Sequence, residues 1–356
     1  MAGVRTVVNS KPFYRAKGEV RTLAVSGDGS KLLMAGGAIK VVRNPSPARG
    51  APSYTGLPID CSVRVWDLRR KKELGCLPGH DSPVGAAAFL DDGSIISVDR
   101  GCDARGQAVG FMRSWGSDGS VQFTVRDAAS SLLATFPKCN LIVSAEKNSS
   151  DSDLYGWDLW TGARRFKLKG NQNGIVAWAP CPEQNLLLTG GRGGVLYLWD
   201  VLRRKLVREY RVTDHVVSAA WHPSGMAFAT AILPDGASPA RARPEVSVWD
   251  ATTAKQVAKF QERGPAYQVW RVAFSPNGRY LVGAGGYPKP SQENCVIHVW
   301  DNSSGKEVVC LKGHTQLVNT LAFTPNGKML FSAGSDKTVR CWKLPQARER
   351  KPAHRN

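Results

Sequence analysis

Along most of the chain the hydrophobic positions fall in short runs, alternating or continuous, parted by Gly, Pro, Asn and Asp. The stretch 313–343, GHTQLVNTLAFTPNGKMLFSAGSDKTVRCWK, shows the scheme: an apolar run, a Pro-Asn-Gly turn, and a second run closing on Trp342. Runs this short suit β-strands rather than the face of a helix. They predict first strands over 319–323 and 272–274, with tight turns at 276–278, 325–327 and Gly27-Asp28-Gly29. The pattern recurs. Trp followed by a turn residue stands at Trp66, Trp115, Trp157, Trp199, Trp249, Trp300 and Trp342, at spacings of 49, 42, 42, 50, 51 and 42 residues. A period in the forties marks a repeat architecture, and the repeat sets the fold before any local assignment does.

Gly79-His80 and Gly313-His314 at the start of a repeat, with Trp-Asp at the end of its third strand, resemble the WD-repeat β-propellers over nearly the whole chain. The resemblance implies an all-β fold of seven four-stranded antiparallel blades around a channel. It also implies a buried relay in which His314, Ser332, Asp336 and Trp342 occupy the matching places. Other repeats depart from it: Gly193 stands where the fourth repeat would carry the Asp, and Asp214-His215 is shifted from the Gly-His position of the fifth.

The chain after Trp342, KLPQARERKPAHRN, holds no further strand, so the last blade lacks its outer one. Open sheet edges invite aggregation. The segment from Lys11 to Arg15 precedes the first strand of blade 1 as an outer strand would, and is predicted to complete blade 7 and close the ring. Propellers grow by adding blades rather than by enlarging one core. The expectation is therefore one domain over 1–344 and a basic tail over 345–356.

Composition narrows the function. No apolar run approaches the roughly 18 residues of a membrane span, and MAGVRTVVNSK lacks the apolar core of a signal peptide; a cytoplasmic protein is expected. The 8 Cys are scattered with no Cys-x-x-Cys pair, so neither metal nor cofactor is expected. No phosphate loop, nucleophile elbow or zinc helix is present, and Asp91-Asp92 sits in a turn, so an enzyme is not expected. The net charge of +19 points to acidic partners or phosphate. It is uneven: residues 1–72 hold 14 basic against 4 acidic side chains (+10), and residues 343–356 hold 5 against 1 (+4).

Four repeats carry insertions between their second and third strands, at 38–61, 100–109, 233–244 and 287–294. All would open on one face, the top, and insertions that gather on one face mark a binding surface. They carry Arg43, Arg49, Arg100, Arg105, Arg241, Arg243 and Lys289, with Tyr54 and Tyr287; the Pro-rich 44–56 reads equally well as a spacer. Aligning the repeats on Val318 puts Leu317 and Asn319, Gln268 and Trp270, His215 and Val217, and Glu19 and Arg21 at the channel mouth. The first reading is a non-enzymatic scaffold holding a protein partner, within a complex, on Trp270, Gln268, Leu317, Asn319, His215, Arg21 and Tyr287. The alternative docks RNA or a ribosome on Lys11, Arg15, Lys17, Arg64, Arg69, Arg70, Lys71 and Lys72. Neither reading involves a membrane or a small-molecule substrate.

Overall fold

The computed structural model describes residues 5–8, 11–43, 54–99, 101, 110–126, 128, 132–145, 152–171, 174–212, 214–233, 245–260, 269–286 and 295–345. They form seven sheets, each a blade of four antiparallel strands that, in blades 1 to 6, run in sequence order from the channel outward. Blade 1, for example, comprises Glu19–Val25, Lys31–Arg43, Val63–Asp67 and Lys72–Leu77. The burial pattern follows strand position. The second strands Ile95–Asp99, Leu141–Ala145 and Tyr280–Gly285 are buried at every residue, as suits strands covered on both faces. The outer strand Lys205–Arg211 buries only Tyr210. Inner and second strands are joined on the bottom face by turns whose glycines sit in the left-handed region, among them Gly278 (φ 69°) and Gly327 (φ 65°).

The apolar cores lie between blades. Seven clusters each draw on two neighbours: Leu33, Val63 and Leu77 of blade 1 pack with Val84, Ile95 and Trp115 of blade 2. The seam of blades 7 and 1 is sealed in the same way, by Phe331, Ala333 and Val339 against Val20, Leu32 and Met34.

Closure follows the predicted route. Tyr14–Arg15 pairs antiparallel with Thr338–Lys343, Tyr14 opposite Val339, and is the outer strand of blade 7. The amides of Phe13 and Ala16 extend the pairing to Val339 O (2.7 Å) and Lys337 O (2.8 Å). Phe13 then meets Trp66 and Phe331 edge-on, ring centroids 5.7 Å from each, so one aromatic side chain bridges the first and last blades. The sequence did not suggest a further element: Arg5–Val8 adds a fifth, parallel strand to blade 6 beside Glu307–Lys312. The N-terminal segment therefore ties the outer edges of two blades. Among the described residues no helix is long and apolar enough to cross a membrane.

Deleting residues 1–18 is expected to lower the melting temperature of the whole ring in one transition, and an unchanged value contradicts the closure. Phe13→Ala, which leaves the backbone pairing in place, should cost about 3 kcal/mol in urea unfolding.

Candidate functional site

The channel mouth is shaped by one repeated irregularity. The inner strands of blades 1, 2, 5, 6 and 7 each carry a bulge near the top, where pairing skips a residue: between Val20 and Thr22, Val84 and Ala86, Val216 and Ser218, Val269 and Arg271, and Val318 and Thr320. The skipped residues are Arg21, Gly85, Val217, Trp270 and Asn319. A bulge bends its strand and re-aims the extra side chain. The inner strands of blades 3 and 4, Leu132–Phe136 and Ala177–Cys181, pair without one. Four of the five bulged blades (1, 2, 5 and 6) also bear the insertions, so all but blade 7 of the contiguous arc 5-6-7-1-2 is elaborated twice over, and blades 3 and 4 are plain.

In blade 1 the insertion starts and ends as a ribbon. Lys31–Arg43 runs on past the blade and pairs with Tyr54–Ile59, Ala38 opposite Ile59 and Arg43 opposite Tyr54. The spacer reading of 44–56 is thus corrected for its last three residues, which lie in a strand despite Gly56. Arg49, Arg100, Arg105, Arg241, Arg243, Lys289, Tyr287 and Gln268 lie outside the described residues.

Around the arc the inner strands are stitched side to side. Asn319 Nδ2 donates to Val20 O (3.2 Å) and Ser335 Oγ (3.3 Å). Thr320 Oγ1 accepts from the Leu23 amide (3.3 Å) and Ser218 Oγ from the Val272 amide (3.1 Å). Trp270 is half-buried against the core between blades 5 and 6, with its indole N–H enclosed and unpaired. Leu317 is half-buried and its carbonyl accepts from the Ser335 amide (2.9 Å). His215 opens the inner strand of blade 5 opposite Leu233. Arg21 is held by Glu19 at 3.1 Å.

Sequence reasoning passed over Arg271, hidden in the apolar run Val269–Phe274. Its Nε donates to Asn319 O of blade 7 (2.6 Å) and its Nη1 to Trp270 O (2.7 Å). Burial pushes its pKa below the usual arginine value.

Beneath the rim, blade 7 brings His314, Ser332, Asp336 and Trp342 together. Trp342 Nε1 donates to Ser332 Oγ (2.8 Å), which lies 2.7 Å from His314 Nε2, while His314 Nδ1 lies 2.8 Å from Asp336. Blade 2 builds the same relay from Trp115, Ser97, His80 and Asp99, all contacts at 2.7 Å. These sets have the composition of a catalytic triad, but each Ser is fully buried with its oxygen occupied by an indole N–H, so no substrate can reach it. Blade 4 substitutes Asn171: Trp199 donates to Thr189 (2.9 Å) and Thr189 to Asn171 Oδ1 (2.8 Å). In blade 6 the position is Gly283, where a Cβ would lie 2.7 Å from the Trp300 ring.

The basic residues of the alternative site separate into two kinds. Lys11, Arg15, Lys17, Arg69, Arg70, Lys71 and Lys72 are exposed along the seam of blades 7 and 1. Arg64 is engaged by Asp60 (2.9 Å) and Glu73 (2.8 Å), and therefore stands apart from that group. On the outer side of blade 6, His298, Glu307 and Cys310 place their potential ligand atoms within 4.8 Å of one another. There His298 Nδ1 is already bonded to Glu307 Oε1 at 2.6 Å, and the ring stacks on Trp300.

The fold and its buried Trp relays define a WD-repeat β-propeller. The family described as "WD domain, G-beta repeat" matches residues 162–200, 255–301 and 305–343, and the chain carries WD40 repeats in a seven-bladed ring. It is 25% identical over 300 residues to Nuclear distribution protein PAC1 of Arthroderma otae, covering 81% of this chain and 55% of that protein. It is 23% identical over 284 residues to B-type cell cycle switch protein ccs52A of Medicago truncatula, covering 79% and 46%. A match to Telomerase protein component 1 of Mus musculus is 25% identical over 192 residues, covering 54% and 7%. The chain spans about half the length of the PAC1 relative.

Ser332→Ala should destabilise the ring by roughly 2–4 kcal/mol, because it strands both the indole N–H and the imidazole. Burial works to raise the Asp336 pKa, but the hydrogen bond and charge of His314, the Thr338 hydroxyl and the Thr315 amide outweigh it and hold the carboxyl at about 2. A depressed folded-state pKa stabilises above the unfolded value of about 3.9 and is lost as pH falls through the folded one. Acid titration of stability should therefore show a loss between about pH 4 and pH 2 that Asp336→Asn removes.

Proposed function

We propose that the protein is a non-enzymatic interaction scaffold that binds a protein partner on the top face of the arc formed by blades 5, 6, 7, 1 and 2. The observation that carries this reading is the coincidence of bulged inner strands with loop insertions in four of these five blades, 1, 2, 5 and 6. Regular strands would suffice for the ring, as blades 3 and 4 show. The bulges instead turn Trp270, Asn319 and Arg21 out of the ladder at the channel mouth, where Trp and Arg are the residue types that dominate binding energy. Leu317, His215, Gln268 and Tyr287 complete the surface in this reading. WD40 propellers are in general non-enzymatic platforms, and two of the relatives are named for nuclear distribution and for a cell-cycle switch, roles compatible with assembly rather than catalysis. A cytoplasmic location belongs to the same proposal.

A second reading rests on its own observation, the seven exposed cations along the seam of blades 7 and 1. That wall would dock on the phosphates of RNA or a ribosome. Salt separates the two readings, because each phosphate contact releases counterions and binding falls steeply as salt rises.

Purified without nuclease, the protein should show a protein-like absorbance ratio at 260 and 280 nm and retain a polypeptide through a high-salt wash. Trp270→Ala should release that polypeptide, while reversing the charges of Arg69, Arg70, Lys71 and Lys72 should not. Nucleic acid that co-purifies and is removed by salt would favour the second reading.

A further inference from the structure

We infer that Arg271 is an anion-receiving point at the channel mouth, on which the partner polypeptide sets a side-chain carboxylate. The inference deepens the reading of the top face as a protein-binding surface and rests on it. In the other bulged blades the residue after the bulge is Thr22, Ala86, Ser218 or Thr320, small or hydroxylated. Blade 6 puts a guanidinium there. Its Nε and Nη1 are anchored on the carbonyls of Asn319 and Trp270, at 2.6 and 2.7 Å, which fixes the plane of the fork. Carbonyl dipoles orient a cation without cancelling its charge, and among the described residues no carboxylate pairs with it.

An arginine has five N–H donors, and two are engaged here. Nε and Nη1 make these bonds, and Nη2 is not among the enclosed unpaired nitrogens, so Nη2 keeps some solvent contact although the guanidinium as a whole is deeply packed. The group is thus a fixed, partly dehydrated charge with open donors. An incoming anion relieves that dehydration and completes the hydrogen bonding. In blade 1 the rim cation Arg21 is paired with Glu19 at 3.1 Å, whereas Arg271 pairs with no carboxylate among the described residues.

A planar fork with open donors matches a carboxylate, which accepts two parallel N–H bonds. Half-buried Trp270 and Leu317 at the same mouth suit the apolar side chains that flank such a residue in a polypeptide. Nucleic acid is held by rows of exposed cations, and these lie on the wall at Arg69, Arg70, Lys71 and Lys72 instead.

The test is selection of phage-displayed random peptides on the full chain and on its Arg271→Gln and Arg271→Lys variants, with thermal melts showing that each is folded. Peptides selected by the unaltered protein should share an Asp or Glu at one position. For a synthesised winner, changing that acid to its amide, or Arg271 to Gln, should each weaken binding at least about tenfold. The two changes together should cost no more than one alone, and Arg271→Lys should lose less than Arg271→Gln. Winners with no fixed acid, or an acid that matters equally in Arg271→Gln, overturn the inference and leave the scaffold reading standing. Enrichment of no peptide at all overturns both. Polyuridylate binding that depends on Arg271 overturns the assignment to a polypeptide.

Discussion

A ring of sheets in which each blade packs only on its two neighbours has no interior apart from the contacts between blades, so all seven cores depend on the ring being closed. In this chain closure falls to a pairing of two residues, Tyr14 and Arg15 on Val339 and Thr338, flanked by the amides of Phe13 and Ala16. The backbone pairing is short; what makes it hold is the apolar contact it brings. Phe13, Tyr14 and Ala16 pack into the same cluster as Trp66, Phe331 and Val339, so the clasp belongs to the seam it closes. The parallel strand Arg5–Val8 on blade 6 extends the grip by one more blade. The buried relays have a different part. They satisfy the indole N–H that the third-strand Trp carries into blades 2, 4 and 7, and where Met34 replaces the acceptor in blade 1 the Trp66 indole N–H is left enclosed and unpaired.

A ring held this way leaves its channel mouth free to vary. Once each blade packs on the next, a bulge at the top of an inner strand disturbs only the ladder, and a side-to-side bond repairs what it opens. Asn319 shows the exchange: its amide side chain bonds to blade 1 and its carbonyl receives Arg271 of blade 6. Asn319, turned out by its bulge, is thus held by both neighbouring blades, and a residue held before binding loses least entropy on association.

Much of this was legible in the sequence because repeats announce themselves. The Trp spacing, set seven times along the chain, marked the repeats, the WD-repeat resemblance implied the blades and ring, and the missing last strand pointed to the clasp. What stayed hidden has no such signature. A bulge adds one residue to a run of strand-forming ones, so the placement of Trp270 and Arg271 could not be read from Val-Trp-Arg-Val. The relay of blade 2 was masked by spacing: Asp99 comes two residues after Ser97, whereas Asp336 comes four after Ser332. The ribbon of blade 1 contains Gly56 and Pro58, which argue against a strand, yet Lys31–Arg43 supplies a long partner that overrides them. Arg-Thr-Val-Val was too short to declare itself, and its strand exists only because blade 6 offers an edge.

Closure of the ring requires the clasp to be part of the cooperative ring rather than an appendage. Native-state hydrogen exchange at the amides of Phe13 and Ala16, which donate to Val339 and Lys337, measures this directly. If the clasp holds the ring, both amides exchange only through global unfolding, with the same free energy as amides of the inner strands. If they exchange by local opening while the inner strands of blades 1 and 7 stay protected, the ring is closed by something else and the account is wrong.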